Sequence, residues 1–351
     1  MNYKPVTISF VIPCYHSAET LPGVVAEIDA AMEELTRQQS AAHPEEGSMD
    51  LRDPAGEGGT GRGTAPTLPR YTHEIIMVND GSGADTWEAI RSLCEGQPQR
   101  RGYDLSRNFG QHAALMAGIR QAKGDLIVCL DDDGQTPADE VGKLLCAIEG
   151  GADVAYASYE HKEHSAFRNF GSWVNEKMLE WMLDKPKDLY VSSYFVMRRY
   201  VADEVLRYEN SYPYLVGLVL RTTKNIVNVP VTHRRREVGS SGYTMGKLLT
   251  LWMNGFTAFS VKPLRAGMGV GVLCAIGAIL YGIYTIIKKF VNPNVPVGWS
   301  ALMVAVVFFG GMILIMLGLV GEYVGRTYIT ANSAPQYVIR EETSDAEHDH
   351  P

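Results

Sequence analysis

With 32 Lys and Arg against 40 Asp and Glu in 351 residues, the chain carries a net charge of -8 and no broad basic stretch, which makes nucleic acid a poor candidate partner. Five cysteines without paired spacing exclude a disulfide framework and fit reduced, mostly buried thiols. The mean hydropathy of -0.09 averages two unlike parts: everything before Lys262 has the mixed polarity of a soluble domain, and much of the remainder is apolar.

In chain order, no signal peptide precedes a predicted strand at 6–12. An amphipathic helix is expected at 20–37. Residues 38–70 are rich in Gly, Pro, Glu and Ser with few aliphatics, the composition of a disordered insertion. Beyond it the pattern predicts a strand at 74–78, a helix at 85–95, a strand at 102–105 and a helix at 112–121. A strand at 126–130, a helix at 138–149 with Thr136 as N-cap, and a strand at 154–157 come next. This alternation predicts an α/β domain over 1–245, with a mainly parallel sheet and helices on both faces.

Residues 246–264 crowd apolar and aromatic side chains, among them Leu251, Trp252, Phe256 and Phe259, and read as an interfacial segment. Residues 266–287 and 297–321 hold no charged side chain, and each exceeds the ~20 residues that cross a bilayer as a helix. Two transmembrane helices are therefore expected at 265–288 and 297–322. Lys262, Arg265 and Arg326 flank them on the domain side and Lys288 and Lys289 lie in the short loop, a narrow balance on the side of an inner-membrane protein with its domain and both termini in the cytoplasm. The tail, 323–351, carries Glu341, Glu342, Asp345, Glu347 and Asp349 and reads as acidic and disordered at its end.

The run at 126–130 ends in Asp131-Asp132-Asp133-Gly134-Gln135. Carboxylates at the end of a buried strand are costly unless something cationic sits there. Alternate side chains of an extended segment share a face, so Asp131 and Asp133 point together and Asp132 points away into solvent. Such a pair offers hard oxygen ligands at the carboxyl end of a strand, where open α/β sheets bind their ligands. A solvated turn leading into a helix fits the same residues. Asn79-Asp80-Gly81-Ser82 and Pro13-Cys14-Tyr15 lie at the ends of two other strands, so three strand ends outline one crevice.

Several stretches carry a resemblance. They are Ile12-Pro13-Cys14-Tyr15, Asn79-Asp80-Gly81-Ser82 and Leu105-Ser106-Arg107-Asn108-Phe109-Gly110-Gln111-His112. Asp131-Asp132-Asp133-Gly134-Gln135, Arg236-Glu237-Val238-Gly239-Ser240-Ser241-Gly242-Tyr243 and Gly321-Glu322-Tyr323-Val324-Gly325-Arg326 complete the set. Together they resemble glycosyltransferase family 2 with the GT-A fold, in its polyprenyl-phosphate branch of dolichyl-phosphate mannose synthases and bactoprenol glucosyltransferases. The resemblance covers nearly the whole chain outside the insertion and the tail.

It implies an inverting, metal-dependent cell-envelope enzyme that moves a sugar from a nucleotide sugar, a UDP-sugar foremost, to a membrane polyprenyl phosphate such as undecaprenyl phosphate. Mg2+ or Mn2+ is the implied cofactor, and a homo-oligomer packed through the membrane segments is implied by relatives with this layout. By the same resemblance Pro13, Tyr15, Asp80, Arg107 and Asp131 hold the nucleotide sugar, and Asp131, Asp133 and Gln135 hold the cation. Arg168, Arg236 and Ser241 take the acceptor phosphate, which guanidinium grips in a bidentate way. Asp131, Asp133, Gln135, Arg168 and Arg236 form the implied catalytic set. The chain departs from the family at Tyr15-His16-Ser17, where Tyr-Asn-Glu is usual, and at Ser241-Gly242-Tyr243, where Ser-Lys-Tyr is common. Ser192-Ser193-Tyr194-Phe195 also replaces a stretch that often carries an acid. These departures leave the base and sugar open. A hydroxyl acceptor in a glycolipid or polysaccharide, and a catalytically inactive membrane scaffold, are the competing readings.

Overall fold

The computed structural model describes residues 5–42, 71–159, 177, 180, 185–232, 262–291, 298–332 and 334–343. Its centre is strand β1 (Val6–Cys14), whose last seven residues are buried. Side chains alternate across it as the period of two requires. Ile8, Phe10 and Ile12 enter the core beneath helices α1 (Leu21–Ala42), α2 (Ala84–Cys94) and α4 (Val141–Glu149). Val11 enters the opposite core beneath α3 (Gln111–Gln121), α5 (Arg199–Leu206) and α6 (Leu215–Thr222). Burying each of these large apolar side chains stabilises the fold by about 1.5–3 kcal/mol. Helix α3 lies close to the sheet because Gly118 faces it: a Cβ there would stand 2.4 Å from Val11 Cγ1.

The remaining strands are β2 (Tyr71–Asn79), β3 (Arg100–Leu105), β4 (Leu126–Cys129), β5 (Val154–Tyr159), β6 (Phe195–Arg198), β7 (Ile226–Val231) and β8 (Ile339–Glu342). Among the described residues they form one sheet in the order β7-β5-β6-β4-β1-β2-β3-β8. β1 pairs parallel with β2 and β4, β2 with β3, and β5 with β7, while β6 and β8 run antiparallel to their neighbours. The chain leaves β1 in one direction through β2 and β3, then crosses back to β4 on its other side. The carboxyl ends of β1 and β4 therefore flank a topological switch point, the place where such sheets open a crevice.

The expected α/β sheet with helices on both faces is present. Several elements differ from expectation. Helix α1 runs on to Ala42, into the stretch expected to be disordered; residues 43–70 lie outside the described residues. The helix expected at 138–149 opens as a 3-10 turn, Ala138–Glu140, with Pro137 rather than Thr136 at its cap. Thr136 is buried and its hydroxyl is engaged with Tyr159 instead. Beyond residue 160, β6, α5, α6 and β7 extend the domain.

The largest difference is the tail. Ile339–Glu342, expected within a solvated acidic segment, is strand β8 against the edge of β3. Its charged side chains suit a sheet edge that must not recruit further strands.

Helices α7 (Lys262–Val291) and α8 (Trp299–Ala331) precede it. Their windows Gly267–Tyr284 and Phe308–Ala331 have mean hydropathies of 1.8 and 1.7 and are nowhere buried in protein. Leu273, Phe290 and Ile315 are 69%, 86% and 72% exposed, an apolar surface suited to lipid rather than water. The two helices touch where Gly267 meets Met316, a small residue at the crossing point. Residues 246–261 of the expected interfacial segment lie outside the described residues.

Candidate active site

Asp131 lies just beyond the last residues of β4 and stands at the switch point. Its Oδ1 accepts a hydrogen bond from Gln111 Nε2 at 2.8 Å, and its Oδ2 accepts one from the hydroxyl of Ser193. Each donor arrives for a structural reason. Gln111 is the first residue of α3, and Ser193 precedes β6, whose antiparallel pairing sets Phe195 opposite Cys129 at the same sheet edge. Burial, reinforced by the charges of Asp133 and Asp132, pushes the Asp131 carboxyl up to about 6 against the pull of these hydrogen bonds.

Asp132 does not point into solvent as expected. Its Oδ2 accepts the backbone N–H of Tyr15 at 2.9 Å, and its carbonyl accepts the Thr20 hydroxyl at 2.6 Å. Burial pushes its carboxyl up, while hydrogen bonds from Ser17 and Tyr15 oppose the rise. The middle aspartate thus ties the end of β4 to the loop after β1. Asp133 Oδ1 accepts the backbone N–H of Gln135 at 3.1 Å, which closes a tight turn over Gly134, whose φ is 71°.

On the other flank, β2 ends at Asn79 and the next residue, Asp80, spans the crevice wall. Asp80 Oδ1 accepts the N–H of Phe109 at 2.7 Å and Oδ2 that of Gly110 at 2.9 Å. Both amides lie at the N-terminus of α3, where a carboxylate is favoured. Burial nevertheless pushes the Asp80 carboxyl up, against those two bonds. Gly81 makes this approach possible. Its φ is 60°, and a Cβ there would stand 2.2 Å from the backbone carbon of Arg107. Arg107 stacks its guanidinium 4.2 Å from the centre of the Phe109 ring.

Tyr15 is 53% exposed, with its ring 4.4 Å edge-on from that of His16. His16 adopts a φ of 55°, a left-handed conformation uncommon for a side chain of this size. Pro13 is buried within β1, opposite Val78 in the register.

The structure thus brings Tyr15, Asp80, Arg107, Asp131, Asp133 and Gln135 to the loops at one sheet edge, with Pro13 in the strand below them. Arg168, Arg236 and Ser241 lie outside the described residues. Sequence reasoning assigns no role to Gln111, Ser193 or Tyr159. Gln111 stands inside the 105–112 motif, after a glycine at a helix start, which is the available signal. Tyr159 ends β5 near the aspartates, and burial, then the charge of Asp131, pushes its hydroxyl up to about 12.

Among the described residues, no group of three or more His, Cys, Asp and Glu side chains forms a self-sufficient metal cage. The donors present are hard oxygens: Asp131, Asp133 and the amide of Gln135. Their chemistry fits Mg2+ or Mn2+, which bind through few protein oxygens and complete their shell with water or substrate oxygens. Burial, with the charges of Asp133 and Asp132 added to it, pushes the Asp131 carboxyl up and marks a locus where added positive charge is stabilising.

The model of the glycosyl transferase family 2 matches residues 65–206, and that of the GtrB C-terminal hairpin matches residues 262–327. An uncharacterized glycosyltransferase, YkcC of Bacillus subtilis, is 31% identical over 272 residues, 77% of this chain and 84% of that protein. A prophage bactoprenol glucosyl transferase homolog of Escherichia coli is 30% identical over 280 residues, 78% of this chain and 90% of the other. An undecaprenyl-phosphate 4-deoxy-4-formamido-L-arabinose transferase of Klebsiella pneumoniae is 27% identical over 348 residues, 97% of this chain and 95% of that protein.

Proposed function

The chain belongs to glycosyl transferase family 2, and from that premise we propose that it transfers a sugar, with inversion, from a nucleotide sugar to a membrane polyprenyl phosphate such as undecaprenyl phosphate. A UDP-sugar is the donor to try first. One observation carries this reading: the Asp131–Asp133 turn at the switch point belongs to a chain that continues into two helices long and apolar enough to cross a membrane. Similarity along nearly the whole chain to an undecaprenyl-phosphate sugar transferase supports the acceptor class.

Cleavage of the sugar–diphosphate bond leaves negative charge on the departing group. Asp131, Asp133 and Gln135 would hold a divalent cation, Mg2+ or Mn2+, which when bound neutralises that charge. Gln111 and Ser193 hold Asp131 in one orientation before substrate arrives. The exposed face of Tyr15 offers a platform for a base, and Arg107, stacked on Phe109, offers a cation to the diphosphate. Asp80 shapes that wall by holding the N-terminus of α3.

The acceptor's phosphate, with a second pKa near ~6, is already anionic at neutral pH. It requires orientation rather than deprotonation, so no general base is assigned, and Arg168, Arg236 and Ser241 are the residues proposed to orient it. A lipid phosphate keeps its tail in the bilayer, which supports a site held at the headgroup plane by α7 and α8. Lys262, Arg265 and Arg326 on the domain side, against Lys288 and Lys289 at the far end of α7, give a narrow margin in support of a cytoplasmic domain at the inner membrane.

The test is transfer of radiolabelled sugar to undecaprenyl phosphate by membranes containing the protein with Mn2+. Transfer is expected from the cognate donor, and Asp133→Ala is expected to stop it. A wild-type rate in that variant would sink the metal assignment. A product that survives alkali able to cleave a sugar phosphodiester would redirect the acceptor to a hydroxyl. Inactivity across a panel of UDP- and GDP-sugars would favour the scaffold.

A further inference from the structure

We propose that Arg340 is a positioning residue for the donor site, acting on the Asn79–Ser82 turn through Asp104 and Asn79; this rests on the proposed transferase function. Three observations converge on it. The first is a break in the β3–β8 ladder. Asp104 pairs with Glu341, but the next residue, Leu105, pairs with Ile339, so Arg340 is the extra residue of a bulge. Bulges re-aim a side chain out of the regular alternation. Here the bulge aims Arg340 at Asp104, whose Oδ2 accepts from Nε at 2.8 Å and also from Nη2.

The second observation is burial. The Asp104 side chain is fully buried while Arg340 is 59% exposed, so the cation reaches in from the rim to neutralise a carboxylate sealed from water. A buried carboxylate stripped of its partner is strongly unfavourable.

The third is the continuation of the chain of bonds. Asp104 Oδ1 accepts from Asn79 Nδ2 at 2.7 Å, and Asn79 is also fully buried. The other end of the Asn79 amide, Oδ1, accepts both the backbone N–H of Ser82 at 3.3 Å and the Ser82 hydroxyl. With its carbonyl committed to Ser82 and its amide to Asp104, Asn79 has one orientation that satisfies both sides. The turn so fixed contains Asp80 and Gly81, which set the wall formed by Phe109, Gly110 and Arg107.

Further bonds seat the same segment beside β3 and α5. Ser106 N–H donates to Val338 O at 2.9 Å and Gly102 N–H to Thr343 Oγ1 at 2.8 Å. Gln336 Nε2 donates to Asn210 O at 3.0 Å. The segment after α8, seated on both sides of Arg340, therefore carries a guanidinium that orients the turn under the donor.

The experiment uses the full chain in detergent or membranes. Arg340→Ala is expected to raise the KM for the nucleotide sugar about two- to thirtyfold, with a smaller change in kcat and none in the KM for the polyprenyl phosphate. Arg340→Lys keeps a point charge without the paired N–H geometry and is expected to fall between the two. Hydrogen exchange supplies a second readout independent of catalysis: amides of 79–83 should exchange faster in Arg340→Ala. Were Arg340→Ala to misfold, Arg340→Lys and Asp104→Asn carry the same comparison. Unchanged donor KM together with unchanged exchange at 79–83 overturns the proposal. If the wild-type chain transfers no sugar, the functional reading fails, and exchange at 79–83 still decides whether Arg340 orders the turn.

Discussion

Gln111 donates from Nε2 to Oδ1 of Asp131 across 2.8 Å, so the first side chain of α3 sets the direction of the carboxylate that ends β4. Ser193 holds the other oxygen from β6's side of the sheet. A carboxylate fixed on both oxygens has its remaining lone pairs aimed in advance, as the proposed cation site requires.

That arrangement predicts the metal response. Gln111→Ala and Ser193→Ala should each raise the Mn2+ concentration giving half-maximal transfer by about ten- to hundredfold. Wild-type membranes treated with EDTA should lose activity and regain it on adding Mn2+. Titration curves that superimpose on the wild type would show that these side chains do not orient a ligand.

Gly81→Ala tests the approach of the Asn79–Ser82 turn to residues 107 and 108. The left-handed backbone alone costs an L side chain about 1–2 kcal/mol, and the added Cβ meets backbone that cannot rotate away. Stability measured by thermal unfolding should fall by at least that amount, and stabilisation by added nucleotide sugar should be lost.

Gly118→Val acts at a distance from the crevice. The branched side chain would collide with Val11 and lift α3 off β1, at a cost of about 1–3 kcal/mol. Because α3 begins with Gln111, the same variant should weaken Mn2+ activation. An unfolding temperature equal to wild type would mean that the core absorbs the added methyl groups.

His112 predicts the acid limb of stability. Burial pulls its imidazole down to about 4, and its Nδ1 is sealed from solvent without a partner among the described residues, beside the ring of Tyr214. The folded pKa lies below the unfolded value near ~6.5, so the unfolded chain takes the proton first. Stability is fully present above that value and declines by up to about 3 kcal/mol as pH falls toward 4. Denaturant unfolding at pH 7 and pH 4.5 should show a smaller acid loss in His112→Gln than in the wild type.

Much of the first half of the domain was legible because strong periodicity marks it. The runs ending at Cys14, Asn79 and Cys129 are buried on both faces and bounded by turn residues, and their strand ends do share one edge. Strand β6 was not legible: four residues give too short a pattern, and its antiparallel direction depends on the sheet around it. Ser193 was illegible for the same reason, since only that direction places it beside Asp131. Asp132 departs from the expected alternation because that rule fails where the chain turns, and there the backbone N–H of Tyr15 in another loop captures the side chain. Strand β8 hid in an acidic tail, where composition argues for solvation but three ladder pairs and a buried carboxylate decide otherwise.

The late position of β8 also imposes an order on synthesis. Asp104 leaves the ribosome 236 residues before Arg340, which at about 5–20 residues per second is a delay of roughly 10–50 s. Throughout that interval the edge of β3 stands open and a carboxylate meant for the interior has no cation. Both apolar helices are made before the last strand. The sheet is thus completed only after the lipid-facing part of the chain exists, and a chain cut anywhere before Arg340 leaves Asp104 without its cation and the Asn79–Ser82 turn without that support.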